Sequence, residues 1–96
     1  MAIPSFSDKV TEDFFIYGIV KKGIGWIHIS RIAKRKLDIL HYANEIKDLK
    51  VMPGNRLKLL KADLKGYYSI RINDQWRIIF KWSDSGPNNV SITDYH

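Results

Sequence analysis

Residues 67–82 read YYSIRINDQWRIIFKW, and this stretch decides the fold. Two runs of aromatic and β-branched residues flank a short polar segment, which is the pattern of a β-hairpin. If the polar segment NDQ forms a three-residue turn, Ile70 lies opposite Ile78. Tyr68 then lies opposite Phe80 on the same face. This register collects the apolar side chains on one face, whereas a two-residue turn mixes the faces, so we predict the three-residue turn.

The second face of this hairpin places Arg71 directly opposite Arg77. Like charges across two strands repel each other. Such a pair is tolerated where both side chains point into solvent, and it is favoured where an anion lies between them. Guanidinium groups present forked donors that match phosphate oxygens. We therefore expect this face to bind an anion such as a phosphate.

Upstream of the hairpin, the sequence predicts a first helix over DKVTEDFFIYG. Ser7 or Asp8 can cap its amino end, and Gly18 is a suitable stop. A helical spacing of four and three residues predicts its apolar face, which comprises Val10, Phe14 and Tyr17.

A second, longer helix is predicted from about Ile27 into the low forties. Its apolar stripe follows helical spacing and consists of Ile29, Ala33, Leu37 and Leu40. Its basic run fits either a solvated face or contacts with an RNA backbone, and contains Arg31, Lys34, Arg35 and Lys36. After it, Asn44 is expected to cap a short helical turn, EIKDL.

The pair Pro53–Gly54 ends the helical part, and strands follow it. The predicted strands are RLKLLK, GYYSIRI, WRIIFKW and VSITDYH, with DSGPNN as a loop. The opening AIPSF is expected to form an edge strand, where a proline is tolerated. The predicted order is β-α-α-β-β-β-β, an α+β fold with helices on one face of an antiparallel sheet.

Size, charge and composition limit the class of protein. The 96 residues, of which 45% are hydrophobic, predict a single domain over residues 1–96. The formal net charge of +6 fits either solubility or a polyanionic partner such as nucleic acid. The absence of cysteine excludes disulfides and thiolate chemistry. No signal peptide or membrane-length apolar run is present, so we expect a cytoplasmic protein without membrane contact.

The candidate chemistry lies in the half of the chain that is predicted to form the sheet. The three histidines are scattered without ligand spacing, and no phosphate-binding glycine loop is present, so we expect no metal site. What remains is a set of cations and acid–base groups that a sheet can bring to one concave side: Lys58, Lys61, Arg71, Arg77, Asp94, Tyr95 and His96.

This combination fits RNA cleavage through the ribose 2′-hydroxyl, a reaction that needs no metal and no cofactor. A base takes the hydroxyl proton, cations stabilise the charged phosphorane, and an acid protonates the leaving oxygen. Histidine titrates near neutral pH and can serve as base or acid. Lysine and arginine supply the electrostatic stabilisation, and tyrosine can stack on a base. A plain RNA-binding surface would carry the same residue types, so both hypotheses stay open at this point.

The motifs GNRL, SIRINDQWRI and the terminal DYH resemble the HigB group of the RelE/ParE toxin–antitoxin superfamily, and the similarity extends over nearly the whole chain. The resemblance implies a RelE-like fold, with two helices on a curved antiparallel sheet. It implies a ribosome-dependent endonuclease that cuts mRNA in the ribosomal A site. It also implies a HigA-type helix-turn-helix antitoxin, through which alone operator DNA would be contacted.

The resemblance also implies roles for particular residues. Lys61 matches a lysine of the family's cleft, and Arg77 matches an arginine near the scissile phosphate. Asp94, Tyr95 and His96 match the terminal motif, in which the histidine is the favoured acid–base group and the tyrosine orients the nucleotide. Alternation along a flat strand separates Tyr95 from its two neighbours, so we expect the backbone to depart from a regular strand at Asp94.

One position differs from some members, which carry a histidine where this chain has Lys58. A lysine there can hold phosphate but is a poor base, so His96 would carry more of the proton transfer. Contacts with mRNA and 16S rRNA are expected from the remaining cations, namely Arg56, Lys65, Arg71, Lys34, Arg35 and Lys58 itself. Two alternatives remain: a ParE-like inhibitor of DNA gyrase, against which DYH argues, and a catalytically weakened module that binds RNA and its antitoxin.

Overall fold

The structure is a computed structural model that describes residues 3–94. Three helices precede the sheet: α1 (Lys9–Tyr17), α2 (Ser30–Tyr42) and the short α3 (Ile46–Lys50). Four strands follow: β1 (Lys58–Leu59), β2 (Tyr68–Arg71), β3 (Trp76–Ser83) and β4 (Gly86–Asp94). Single 3₁₀ turns lie at Ile27–Ile29 and Ala62–Leu64. The predicted α+β class is confirmed, with the helices first and the strands after them.

The four strands form one antiparallel sheet in the order β1-β2-β3-β4. The predicted hairpin register is confirmed, because Ile70 pairs with Ile78 and Arg71 pairs with Arg77. Asn73 stabilises the turn: its side-chain Oδ1 accepts from the backbone N–H of Trp76 at 2.7 Å. The polar turn and the alternation of the two strands therefore select the same pairing.

The predicted edge strand at the start of the chain is wrong as a full strand. From residue 3 onward, the described part of this segment forms one parallel bridge, between Phe6 and Val90. Pro4 has no N–H to donate to a ladder. Ser5 makes both a ladder bond, in which its carbonyl accepts from the Val90 N–H at 3.2 Å, and a side-chain contact, in which its hydroxyl accepts from the Asn89 N–H at 2.9 Å.

The predicted DSGPNN loop is too long, because β4 already begins at Gly86. The pairing of β3 with β4 shifts between Ile79 and Lys81, which marks a β-bulge. Asn89 lies at this point with a left-handed φ of 53°, a conformation that asparagine tolerates better than most residues. The bulge lets the strand continue through a segment whose composition is typical of a loop.

Helix α1 has the predicted ends and a different buried face. Asp8 caps it by accepting from the Thr11 N–H at 2.7 Å, and Gly18 ends it at φ 70°. Phe14 is buried as predicted, but Tyr17 is 69% exposed. The helix turns Thr11 toward the sheet instead, where its Oγ1 accepts from a backbone N–H of β4. The predicted face is therefore wrong at its carboxyl end.

Helix α2 carries the predicted stripe, since Ala33, Leu37 and Leu40 are fully buried. The short helix after it is capped by Glu45 and not by Asn44. Glu45 and Asp48 form a reciprocal capping box, in which Asp48 accepts from the Glu45 N–H at 3.0 Å. Asn44 contributes only its backbone N–H to the same carboxylate.

The helices bury one face of the sheet. The core on this side joins α1, α2 and α3 to the strands, and consists mainly of Phe14, Leu37, Leu40, Leu49, Ile70, Ile78, Phe80, Val90 and Ile92. The second face of the sheet carries the polar and basic positions, several of which are also buried, among them Ser69, Arg77 and Ser91. Within residues 3–94 no helix is long and apolar enough to cross a membrane.

Candidate active site

The second face of the sheet presents two rows of side chains, and we call it the open face. Strand pairing defines both rows: Lys58, Ser69, Ile79 and Ser91 in one, and Arg71, Arg77 and Thr93 in the other. Successive side chains of a strand point to opposite sides, so all seven lie opposite the helices. Two arginines and a lysine thus share one side of the sheet, as the hairpin register requires.

Arg77 is the most strongly constrained cation of the open face. Its side chain is buried, so the alternative in which both arginines point into solvent does not apply. Its Nε donates to the Ser69 hydroxyl at 2.7 Å, and its Nη2 donates to the backbone carbonyl of Arg56 at 2.7 Å. A guanidinium held by two protein acceptors has a fixed plane and a fixed set of donor directions. The floor of the open face therefore carries an oriented positive charge.

Arg71, the partner of Arg77 across the strands, is paired within the chain. Its Nη2 contacts the carboxylate of Asp74 in the hairpin turn. The hydrogen bond from Arg71, together with its positive charge, lowers the pKa of Asp74. The anion that offsets the repulsion between the two arginines is thus a side chain of the turn, where we had expected a bound phosphate.

The segment before β1 holds the acceptor for Arg77. Arg56 is exposed and adopts a left-handed φ of 46°, which is costly for a residue with a Cβ. Asn55, directly before it, is fully buried. The Asn55 side chain accepts from Lys36 Nζ at 2.6 Å and donates to the Leu49 carbonyl at 3.1 Å.

Lys36 corrects an expectation, because it was grouped with the solvated basic run of α2. It is 7% exposed, and burial lowers its pKa, as do the positive charges of Arg35 and Arg71. A sequence signal for this existed: Lys36 lies three residues after Ala33 and four before Leu40, within the apolar stripe. Asn55 gave no comparable signal, because an asparagine after Pro53–Gly54 fits a turn equally well.

Lys61 lies just beyond β1, at the start of the 3₁₀ turn. It lines an open surface groove of about 480 Å³ together with Lys65. The rest of the lining is apolar and consists of Leu59, Leu60, Ala62 and Gly66. The structure therefore brings Lys61 and Lys65 together at the β1 edge, while Lys58 belongs to the first row of the open face.

Asp94 is not on the same side as Arg77. It pairs with Trp76 in unbroken register, so it belongs to the face that the helices cover, although it is exposed at the strand end. Its carboxylate accepts from Gln75 Nε2 at 2.9 Å. The expected departure from a regular strand does not occur in the pairing at Asp94; the bulge lies earlier, at the Ile79–Lys81 shift. Tyr95 and His96 lie outside the described residues.

The two cations predicted on α2 lie apart from the open face, because α2 packs on the opposite side of the sheet. Lys34 is paired with Asp38 at 2.6 Å and lies 4.9 Å from the centre of the Phe15 ring. Arg35 is exposed and lines a second, mainly apolar groove between α2 and α3. Across residues 3–94 the structure contains no group of three or more histidine, aspartate or glutamate side chains that could hold a metal ion.

Comparison with known proteins gives consistent results. Residues 4–96 match the family model of the HigB-like toxin, described as a RelE-like toxin of the type II toxin–antitoxin system HigB. The Vibrio cholerae protein named Toxin HigB-1 is 52% identical over 56 residues, which cover 58% of this chain and 59% of that relative. The Proteus vulgaris protein named Endoribonuclease HigB is 32% identical over 94 residues, 98% of this chain and 99% of that relative.

Solved structures support the fold. The chain superposes on YoeB in the YoeB–YefM complex from Staphylococcus aureus with a TM-score of 0.60 and 22% identity. The match covers 100% of this chain and 97% of the other. The YoeB dimer from the same organism gives the same values. The RelE-like arrangement of helices and sheet, predicted from the sequence, is confirmed by these matches.

Proposed function

The chain belongs to the family of HigB-like toxins, which are RelE-like toxins of type II toxin–antitoxin systems, and from this premise we propose that it is an endoribonuclease that cleaves mRNA on the ribosome. The name of the Proteus vulgaris relative, which aligns over nearly the full length of both chains, supports the activity. The cations of the open face support the electrostatic part of the proposed chemistry.

The observation that carries the proposal is the fixed, buried guanidinium of Arg77. In the proposed reaction the ribose 2′-oxygen forms a bond to phosphorus while the bond to the 5′-oxygen breaks. Negative charge builds on the phosphoryl oxygens in the transition state. A cation that is already oriented by Ser69 and Arg56 stabilises that charge without reorganising. Arg77 is therefore the proposed electrostatic catalyst.

The other predicted residues take roles around this centre. Lys61 assists at the phosphate, and Lys58, Lys65, Arg56 and Arg71 hold the RNA backbone. His96 takes the 2′-hydroxyl proton or protonates the 5′-oxygen, and Tyr95 orients the nucleotide. Asp94 lies across the sheet from Arg77, so we assign it to positioning the strand end, where Gln75 donates to its carboxylate.

An antitoxin is the partner of a type II toxin, and the YoeB–YefM complex is an example from a structural neighbour. We propose that this chain's antitoxin is of the HigA type, with a helix-turn-helix domain that alone contacts operator DNA. Lys34 and Arg35 on α2 are proposed contacts to 16S rRNA. We accordingly propose that the protein acts in the cytoplasm, where translating ribosomes are found.

The test combines purified protein, translating ribosomes and mapping of message ends. Wild type should cut the message, and Arg77→Gln should lower the cleavage rate about 10²- to 10³-fold, the loss typical of one preorganised charge-stabilising group. His96→Gln should be similarly impaired. Lys50→Gln, an exposed change on α3, is the matched control and should cleave as wild type does.

Three outcomes would contradict the proposal in different ways. Intact message together with gyrase-dependent DNA breaks would identify a gyrase inhibitor. Tight RNA binding without cleavage would identify a binding module. Full activity of His96→Gln would leave the enzyme in place but remove His96 from the role of base.

A further inference from the structure

We propose that Lys36 and Asn55 form a buried clamp that positions Arg77 for catalysis through the backbone carbonyl of Arg56. The inference rests on the proposed function for its catalytic meaning, and on hydrogen bonds for its geometry. Neither Lys36 nor Asn55 belongs to the predicted site, and Lys36 extends from a helix on the opposite side of the sheet.

The first link joins α2 to the segment before β1. Lys36 Nζ donates to Asn55 Oδ1 at 2.6 Å, and both side chains are buried. A charge-assisted bond in a site with little water is stronger than a neutral one. Burying this charged lysine is unfavourable, because desolvation and the charges of two arginines lower its pKa. A cation at this position is unexpected for packing alone, because methionine would fill the same space.

The second link holds Asn55 through both its side chain and its backbone. Its side-chain amide donates to the Leu49 carbonyl of α3, and its backbone carbonyl accepts from the Arg71 N–H at 2.6 Å. Asn55 thus ties α2, α3 and β2 to one point. The residue that follows has few ways to move relative to the sheet.

The third link runs from that point to the catalytic cation. Arg56 takes a left-handed conformation, which turns its carbonyl to accept from Arg77 Nη2 at 2.7 Å. Strained backbone of this kind persists where surrounding contacts impose it, and Asn55 is the adjacent anchor. Loosening the clamp should let Arg56 relax and weaken its hold on the guanidinium, which can then tilt relative to Ser69.

Lys36 is accordingly a positioning residue, and its effect should appear in the chemical step. Charge stabilisation depends steeply on geometry, so a small tilt of Arg77 should lower kcat about ten- to a hundredfold. Lys58 and Lys65, which are proposed to hold the RNA backbone, lie apart from the clamp, so KM should change much less than kcat. Lys36→Met removes the donor and keeps the apolar stem. Lys50→Met makes the same change at an exposed site and should match wild type.

A double-mutant cycle with Arg77→Gln separates positioning from general damage. If Lys36 acts through Arg77, Lys36→Met should add nothing once Arg77 is replaced, because interacting residues give non-additive losses. Losses that multiply in the double variant would overturn the proposal, and so would an unchanged kcat in folded Lys36→Met.

A measurement on the unmodified chain tests the geometry without any activity. Arginine Nε–H signals in ¹⁵N NMR spectra should include one with slow exchange, assigned to Arg77 by its loss in Arg77→Gln. Lys36→Met should speed that exchange, and Lys50→Met should not. A rapidly exchanging Arg77 in wild type would overturn the clamp. If Lys36→Met speeds the exchange but wild type cuts no RNA, the proposed function fails while the clamp stands.

Discussion

The two faces of the sheet are held in place by different interactions, which alternate residues of the same strands provide. In β3, Ile78 and Phe80 point to the helices and are fully buried, whereas Arg77 and Ile79 point to the open face. The helix side is fixed by apolar packing, which has no direction. The open face is fixed by hydrogen bonds from Arg77 to Ser69 and Arg56, which have direction. Along a single strand, some residues therefore stabilise the fold, while their neighbours fix the orientation of a functional side chain.

The largest expected effect comes from comparing adjacent isoleucines on the two faces. Ile78→Ala should lower the free energy of unfolding by about 2–5 kcal/mol, because it leaves a cavity in the main core. Ile79→Ala, which is also buried but outside that cluster, should cost about 2 kcal/mol, the low end of the same range, because neighbouring side chains can relax. Urea denaturation of both variants measures the difference. Equal losses would show that the open face is packed as firmly as the helix side.

An intermediate effect on stability should come from Lys36, whose side chain joins α2 to the segment before β1. Lys36→Met should lower stability by about 1–3 kcal/mol at pH 7, because a buried amide oxygen of Asn55 loses its donor.

The pH dependence of stability gives Lys36 a second signature. Its folded pKa lies below the ordinary 10.5, so between the two values the unfolded chain binds more protons. Stability should therefore rise with pH across that window, relative to Lys36→Met. Parallel pH profiles for the two proteins would refute this account.

The smallest expected effect concerns Asp74, whose carboxylate forms an ion pair with Arg71 at the edge of the open face. Asp74→Asn should lower KM for the message about two- to threefold, because it releases a cation to the RNA backbone. The gain should shrink as salt increases, since the site is exposed. Stability near neutral pH should hardly change. Steady-state cleavage at two salt concentrations checks this, with Asp84→Asn as an exposed control.

The hairpin register could be predicted because alternation and turn length agree on one pairing, and both are local properties of the sequence. The stripe of α2 and the caps of α1 were predictable for the same reason. The first strand could not be predicted correctly, because its pairing depends on the distant β4, where Val90 donates to the Ser5 carbonyl and Asn89 donates to the Ser5 hydroxyl. Tyr17 was misplaced because helical spacing does not say where the sheet begins and ends.

The site was predictable in composition and less so in arrangement. Arg77 was identified, but its burial depends on the Arg56 carbonyl. An arginine at position 56 gives no sign in the sequence that its backbone is left-handed. Asp94 was grouped with the cations because of its motif, although strand alternation places it on the helix side. Lys36 and Asn55, 19 residues apart, meet only after α3 has folded back between them.

The sheet also protects itself against joining a neighbouring chain. An unpaired edge strand offers free amides and carbonyls to any other extended segment. Here β1 is only two residues long and carries Lys58, while the outer side of β4 is engaged by the bridge at Phe6 and interrupted by the bulge near Asn89. Although the chain is rich in β-branched residues, its sheet therefore offers few unpaired edge groups to which another chain could add a strand before the antitoxin binds.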